Sequence, residues 1–142
     1  MLLYNPMESF KIDSSNLKKL IADYMENGFL ENIEDMFKHD SSLYAFIGDL
    51  IKDDRIMVRL GISALIETLK SEDPENISRA TPSLLPLLKN QNPLHRCDAA
   101  YLLGMIGNKD IIPYLRELEN DEDENVRIIV KESIKEIETR NP

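Results

Sequence analysis

Cysteine is nearly missing: the 142 residues hold one, Cys97. No internal disulfide and no all-cysteine zinc site can form. Tryptophan is absent and aromatics make up 6% of the chain. Five glycines and seven prolines are too few for a disordered or all-β chain. Basic residues are outnumbered, 17 Lys plus Arg against 26 Asp plus Glu, for a net charge of −9. That balance disfavours a nucleic-acid backbone or an anionic membrane as the main partner. No uncharged run approaches the roughly 20 residues of a membrane span. In MLLYNPMESF the apolar start is broken by Asn5 and Pro6 before a signal-peptide core can form. The expectation is a cytoplasmic protein, one domain or one short array of small units, able to bury about 70% of its unfolded surface.

What is present is helical periodicity. Leu17, Leu20, Ile21 and Tyr24 fall at i, i+3, i+4, i+7, one stripe of a helix over 14–27. Ser14 or Ser15 can cap it, and Gly28 can supply a left-handed stop. The same pattern predicts helices over 29–38, from Ser41 or Ser42 to about Ile51, and from Asp54 to Lys70. Pro82 suits the first turn of a fifth helix, to about Lys89, which Pro86 should bend. Further helices are expected over 94–107, 111–119 and 124–139. No period-two alternation lasts long enough for a sheet.

The chain also resembles itself. Shifted by 31 residues, IIPYLRELENDEDENVR lies on ATPSLLPLLKNQNPLHR without a gap. Pro113 meets Pro82, Leu115 meets Leu84, Leu118 meets Leu87 and Arg127 meets Arg96. Asp121 and Asp123 fall on Asn90 and Asn92. A more divergent copy is centred on Arg59, with Asp53 at the position of Asn90 and Asp121. One helical pair of this size cannot bury its own apolar face, whereas stacked pairs share a continuous core. Ala99 and Ala100 are small enough for close helix approach.

The pattern P-x-L-x-x-L, a short Asp/Asn turn, V-R, then a second apolar helix resembles HEAT repeats, most of all the short class of phycobilin lyase-type proteins. GNKDIIPYLRELENDEDENVR fits best; the resemblance covers about 42–139. It implies an all-α fold, a right-handed α-solenoid of three to four helical hairpins. Hairpin repeats are expected over 41–79, 80–110 and 111–142, with an N-terminal helical cap over 1–40. The departures are a missing helix-starting proline in the first unit and His95 in place of valine in the second.

Arg59, Arg96 and Arg127 are the sharpest repeat marker. Each guanidinium can bridge turn acceptors, with Asp53, Asn90, Asp121 and Asp123 the expected partners; an anion-binding ladder is the alternative. The resemblance places the second helix of each hairpin on the inner, concave side. Positions two, five and nine after each arginine avoid the main core stripe: Gly61, Ala64 and Thr68; Asp98, Tyr101 and Met105; Ile129, Glu132 and Glu136. Of these, Asp98, Tyr101, Met105, Ile129, Glu132 and Glu136 are the candidate partner-binding face. Tyr101 and Met105, at i, i+4, either contact an incoming peptide or helix or fill the seam between repeats.

No catalytic set is legible. The acidic run over 120–125 lacks the glycine and spacing of a calcium loop and suits a helix start. His39 and His95 stand in no HExxH, so no metal site is expected. His95 reads as a surface residue at a helix start. Cys97, beside Arg96 in a helix first turn, could have a lowered pKa; a packing role competes. Gly-rich phosphate loops and nucleophile elbows are missing. The expectation is a non-enzymatic interaction module without cofactor, binding a peptide or helix of another protein, with homo-oligomerisation open at the apolar Leu2, Leu3 and Tyr4. A phycobilin lyase-type chaperone or enzyme subunit is the alternative, and a DNA-repair glycosylase ranks last on charge.

Overall fold

The computed structural model describes residues 14–141. Leu2, Leu3 and Tyr4, with the first part of the expected cap, lie outside the described residues. Among the described residues every regular element is helical, and the fold is all-α, built of helical hairpins of the solenoid class. The chain divides into two compact units, Met1–Arg79 and Ala80–Pro142.

In the first unit α1 (Ser14–Glu26) and α2 (Leu30–His39) both pack on α4 (Ile56–Glu72). Between them a 3₁₀ turn, Ser41–Phe46, runs into the short α3 (Ile47–Leu50). Helix α1 stops at Gly28, whose φ of 85° is the left-handed region where a side chain is strained. Gly28 N–H donates to the Met25 carbonyl and Phe29 N–H to that of Tyr24, the paired bonds of a Schellman stop. Phe29 and Tyr24 close it edge to face, 5.7 Å apart.

The core of this unit is aliphatic around one aromatic pair. Ile21, Ile33, Leu43, Ile47, Ile62, Leu65, Ile66 and Leu69 are fully buried. Phe37 and Tyr44 meet at 90° with centroids 5.2 Å apart. The Tyr44 hydroxyl donates to Asp73 at 2.8 Å, at the C-terminus of α4. Burial first, then the Asp73 carboxylate, pushes the Tyr44 phenol well up.

In the second unit α5 (Thr81–Leu84) continues as a 3₁₀ turn, Leu85–Lys89, before α6 (Pro93–Ile106). A 3₁₀ turn, Lys109–Ile111, leads into α7 (Ile112–Arg116), and α8 (Glu124–Arg140) follows. The first helix of each hairpin is thus shorter and tighter than the sequence suggests. In 82–89 the cause is Pro86, which has no N–H for the carbonyl four residues back and whose ring crowds it. In 111–119 the helix ends at Arg116 and bonds three residues apart follow, from Leu118 to Leu115 and Glu119 to Arg116. The second helices form as the periodicity predicts, within two residues at either end.

Helices α6 and α8 make the largest contact of this unit. They meet at Gly104, where a Cβ would fall 2.7 Å from the Ser133 Cβ and 3.0 Å from its Cα. The Ser133 hydroxyl is buried and donates to the Ala100 carbonyl at 2.8 Å. Arg140 donates to the carbonyls of Gly104 and Gly107 at 2.9 and 2.7 Å. Gly104→Ala is expected to push the two helices apart and to cost about 1–3 kcal/mol, read as a lowered urea midpoint at unchanged helix content. Ser133→Ala in the same chain should not restore it, because the Ser133 backbone is part of the obstruction.

Candidate functional site

The turns that precede α4, α6 and α8 are superposable in their hydrogen bonding. Asp53, Asn90 and Asp121 each accept, on the side-chain oxygen, the N–H two residues on: Arg55 at 2.9 Å, Asn92 at 2.9 Å and Asp123 at 3.0 Å. Their own N–H groups donate to Leu50, Leu87 and Leu118, each at 3.1 Å. The residues entering the three helices share one extended conformation: φ, ψ of −79°, 122° at Arg55, −82°, 116° at Asn92 and −92°, 126° at Asp123. Asx side chains suit this role because they mimic a backbone turn.

The arginines build on these turns. Arg96 donates to the Asn90 carbonyl, six residues back, at 2.8 Å and to Gln91 at 3.1 Å. Arg127 repeats the first contact on the Asp121 carbonyl. Arg96 also grips the Asp121 carboxylate with Nε and Nη2, at 3.0 and 2.9 Å. Both side chains of that pair are buried, 9% and 7% exposed. The guanidinium holds the Asp121 carboxyl below the usual range, and Arg96 is raised in turn. Asp123 accepts Val126 N–H at 3.1 Å, so this carboxylate caps α8. Arg59 is half-buried at the corresponding position of α4.

In the first unit the turn carboxylate has another ligand. Arg55 places Nε and Nη2 on Asp53, at 2.9 and 3.0 Å, and Nη1 on Asp23 and Glu26 of α1, at 2.8 and 3.1 Å. Arg55 thereby lowers the carboxyls of Asp53 and Asp23. Lys18 pairs with Asp49 at 2.8 Å. A cleft of about 270 Å³ lies here, lined by Lys18, Lys19, Asp49, Asp53 and Arg55. Each of its cations is already paired, Lys18 with Asp49, Lys19 with Asp23, and Arg55 with Asp53, Asp23 and Glu26, so none is left to hold an anion.

The six residues of the expected partner face separate. Tyr101 is 43% exposed, and Leu94, two turns earlier on α6, is 42% exposed. Asp98 and Ile129 are half-buried; Glu132 and Glu136 are exposed. Met105 is a correction: it is 6% exposed and belongs to the core at the end of α6. Leu94 stands two residues before Arg96, outside the positions two, five and nine after it that define the expected face. Its signal was the seven-residue spacing to Tyr101.

Two further expectations are corrected. The Cys97 thiol is raised, not lowered, by burial first and then by Asp123, Asp98 and Asp121, which outweigh Arg96. His95 is half-buried rather than fully exposed: its Nδ1 is enclosed and has no hydrogen-bond partner among the described residues. The cause is register, because Val58 and Val126 at the same position are fully buried. His39 Nδ1 lies 2.7 Å from the Asp35 carbonyl. Among the described residues no three His, Cys, Asp or Glu side chains converge on a metal position, and no helix is long and apolar enough to cross a membrane.

Residues 81–141 match the HEAT repeat family. They are the second unit almost to the residue, and HEAT repeats are generally protein-interaction scaffolds. No curated protein and no solved structure matches the chain.

Two expectations follow. Asp121→Asn leaves the buried Arg96 without its counter-charge and should cost roughly 3–5 kcal/mol at pH 7. Asp121 has a lowered folded pKa, so its contribution is complete above the unfolded carboxylate value of about 4 and disappears as pH falls through the folded one. The melting difference between the wild type and Asp121→Asn should therefore shrink below about pH 4. His95→Val removes a buried unpartnered nitrogen and should stabilise the chain by about 1–3 kcal/mol, seen as a higher urea midpoint.

Proposed function

We propose that the chain is a non-enzymatic interaction module and that the second unit takes a peptide or helix of another protein on the face formed by α6 and α8. One observation carries this reading. Leu94 and Tyr101 stand exposed on one side of α6, on a helix whose other apolar side chains are mostly buried. Large apolar side chains presented by a rigid helix lose little entropy on binding, and a tyrosine brings apolar area with a polar tip. The charged side chains beside them, Asp98, Glu132 and Glu136, are all acidic. A partner segment with apolar side chains at helical spacing and Lys or Arg on its flanks is complementary to this face.

The repeat assignment supports the same reading. Three HEAT-like hairpins, over 41–79, 80–110 and 111–142, follow an N-terminal cap in our reading, and the single thiol suits the cytoplasm. A role in chromophore attachment would call for cations to hold acidic substituents, and the carboxylates of this face do not supply them.

Leu94→Ser with Tyr101→Ser should reduce affinity for a basic amphipathic helical peptide by at least about tenfold with the fold retained, since each side chain is partly exposed and outside the core. Titration calorimetry measures the loss. Equal affinity for the double variant would remove this face from the interaction.

A further inference from the structure

Helix α8 carries a second surface, different in charge and in position from the one above. The rung that joins α6 to α8 is Arg96 gripping Asp121, an aspartate in the turn ahead of the following helix. Arg127 occupies the same position on α8 and keeps the same contact to a carbonyl six residues back. Its Nε and Nη2, the atoms with which Arg96 takes the carboxylate, have no acceptor among the described residues. The rung is half made.

The residues beyond it continue the pattern. On α6, Ala100 and Gly104 follow Arg96 at one-turn intervals and are covered by α8. On α8 the same positions are Lys131 and Lys135, both exposed and without an ion-pair partner among the described residues. Arg127, Lys131 and Lys135 therefore line one side of the helix at i, i+4, i+8, in a chain of net charge −9. Ile128, 46% exposed, stands beside them. Lysines in place of alanine and glycine keep a further hairpin from seating as closely as α8 does on α6, but leave the arginine fork and two exposed cations open.

We propose that this edge binds an acidic turn of a partner protein, one in which an aspartate precedes a helix, with Arg127 taking that carboxylate as Arg96 takes Asp121. A second copy of this chain is a poor occupant. Its turn positions are Asp53, Asn90 and Asp121; the carboxylates of the first and last are held by Arg55 and Arg96, Asn90 is neutral, and the neighbouring Asp123 carboxylate is engaged in capping α8. Phosphate polymers are disfavoured by Glu124 and Glu138, exposed among the cations of the same helix. A bidentate fork discriminates a planar carboxylate by geometry as well as charge.

The test is a titration of the full chain, followed by backbone amide shifts, with a blocked alanine-based helical peptide whose first turn carries Asp and Glu. Binding at low salt should displace amides around Arg127, Lys131 and Lys135, and weaken as ionic strength rises. The Asn/Gln analogue of the peptide, and Arg127→Gln in the protein, should each lose about tenfold or more in affinity. Arg127→Lys, which keeps the charge and a donor for the Asp121 carbonyl but not the fork, should lose most of the binding. Undiminished binding by Arg127→Lys or by the neutral peptide, shifts confined to Leu94 and Tyr101, or tighter binding of duplex DNA than of the acidic peptide would each overturn the proposal. So would no binding at all. Association of the protein with itself, abolished by Arg127→Gln, would overturn the choice of partner.

Discussion

The buried pair of Arg96 and Asp121 is the contact on which the second unit depends. Asp121 serves three partners at once: its carboxylate takes the guanidinium and the Asp123 amide, and its carbonyl takes Arg127. A carboxylate removed from water is costly unless it is paired and hydrogen-bonded, and here three N–H donors meet it, Nε and Nη2 of Arg96 and the Asp123 amide. One residue thus closes its own turn, sets the start of α8 and fixes that start against α6. Once the helices are registered in this way, which side chains face inward is no longer free. Ser133 must lie on Ala100 and Gly104, and Tyr101 must stand clear of both.

The first unit uses the same turn for a different purpose. Asp53 closes it as Asp121 does, yet its carboxylate is taken by Arg55, two residues on, rather than by an arginine of the preceding hairpin. The spare arm of Arg55 reaches Asp23 and Glu26, so the turn anchors α1. Gly61 completes the seat, since a Cβ there would collide with the Met25 side chain. A repeat motif has been adapted to hold a helix that does not share the repeat's sequence, and it needed only one arginine and one glycine.

Much of this was legible beforehand, for reasons that can be named. The second helices could be placed because their apolar spacing is set by burial on both sides. Asp53, Asn90 and Asp121 could be aligned because an Asx turn tolerates few residue types. Gly28 marked the end of α1 because only glycine takes its backbone angle without strain. The first helices were over-read: 3₁₀ and α turns bury leucines at nearly the same intervals over so few residues. Met105 was misplaced because a position facing outward in mid-helix becomes enclosed where the helix ends. Ser133, Arg140 and the reach of Arg55 to α1 are not legible because those partners lie 29 or more residues away, and periodicity says nothing about such pairs.

Arg140 gives this arrangement a mechanical consequence. Its guanidinium closes two carbonyls at the far end of α6 from the last turn of α8. Helix ends ordinarily fray independently, each within its final turn. These two are clasped by one side chain, so unwinding either one breaks both bonds between the Arg140 guanidinium and the α6 carbonyls. Opening of the last turn of α8 is therefore coupled to the end of α6 through these two bonds.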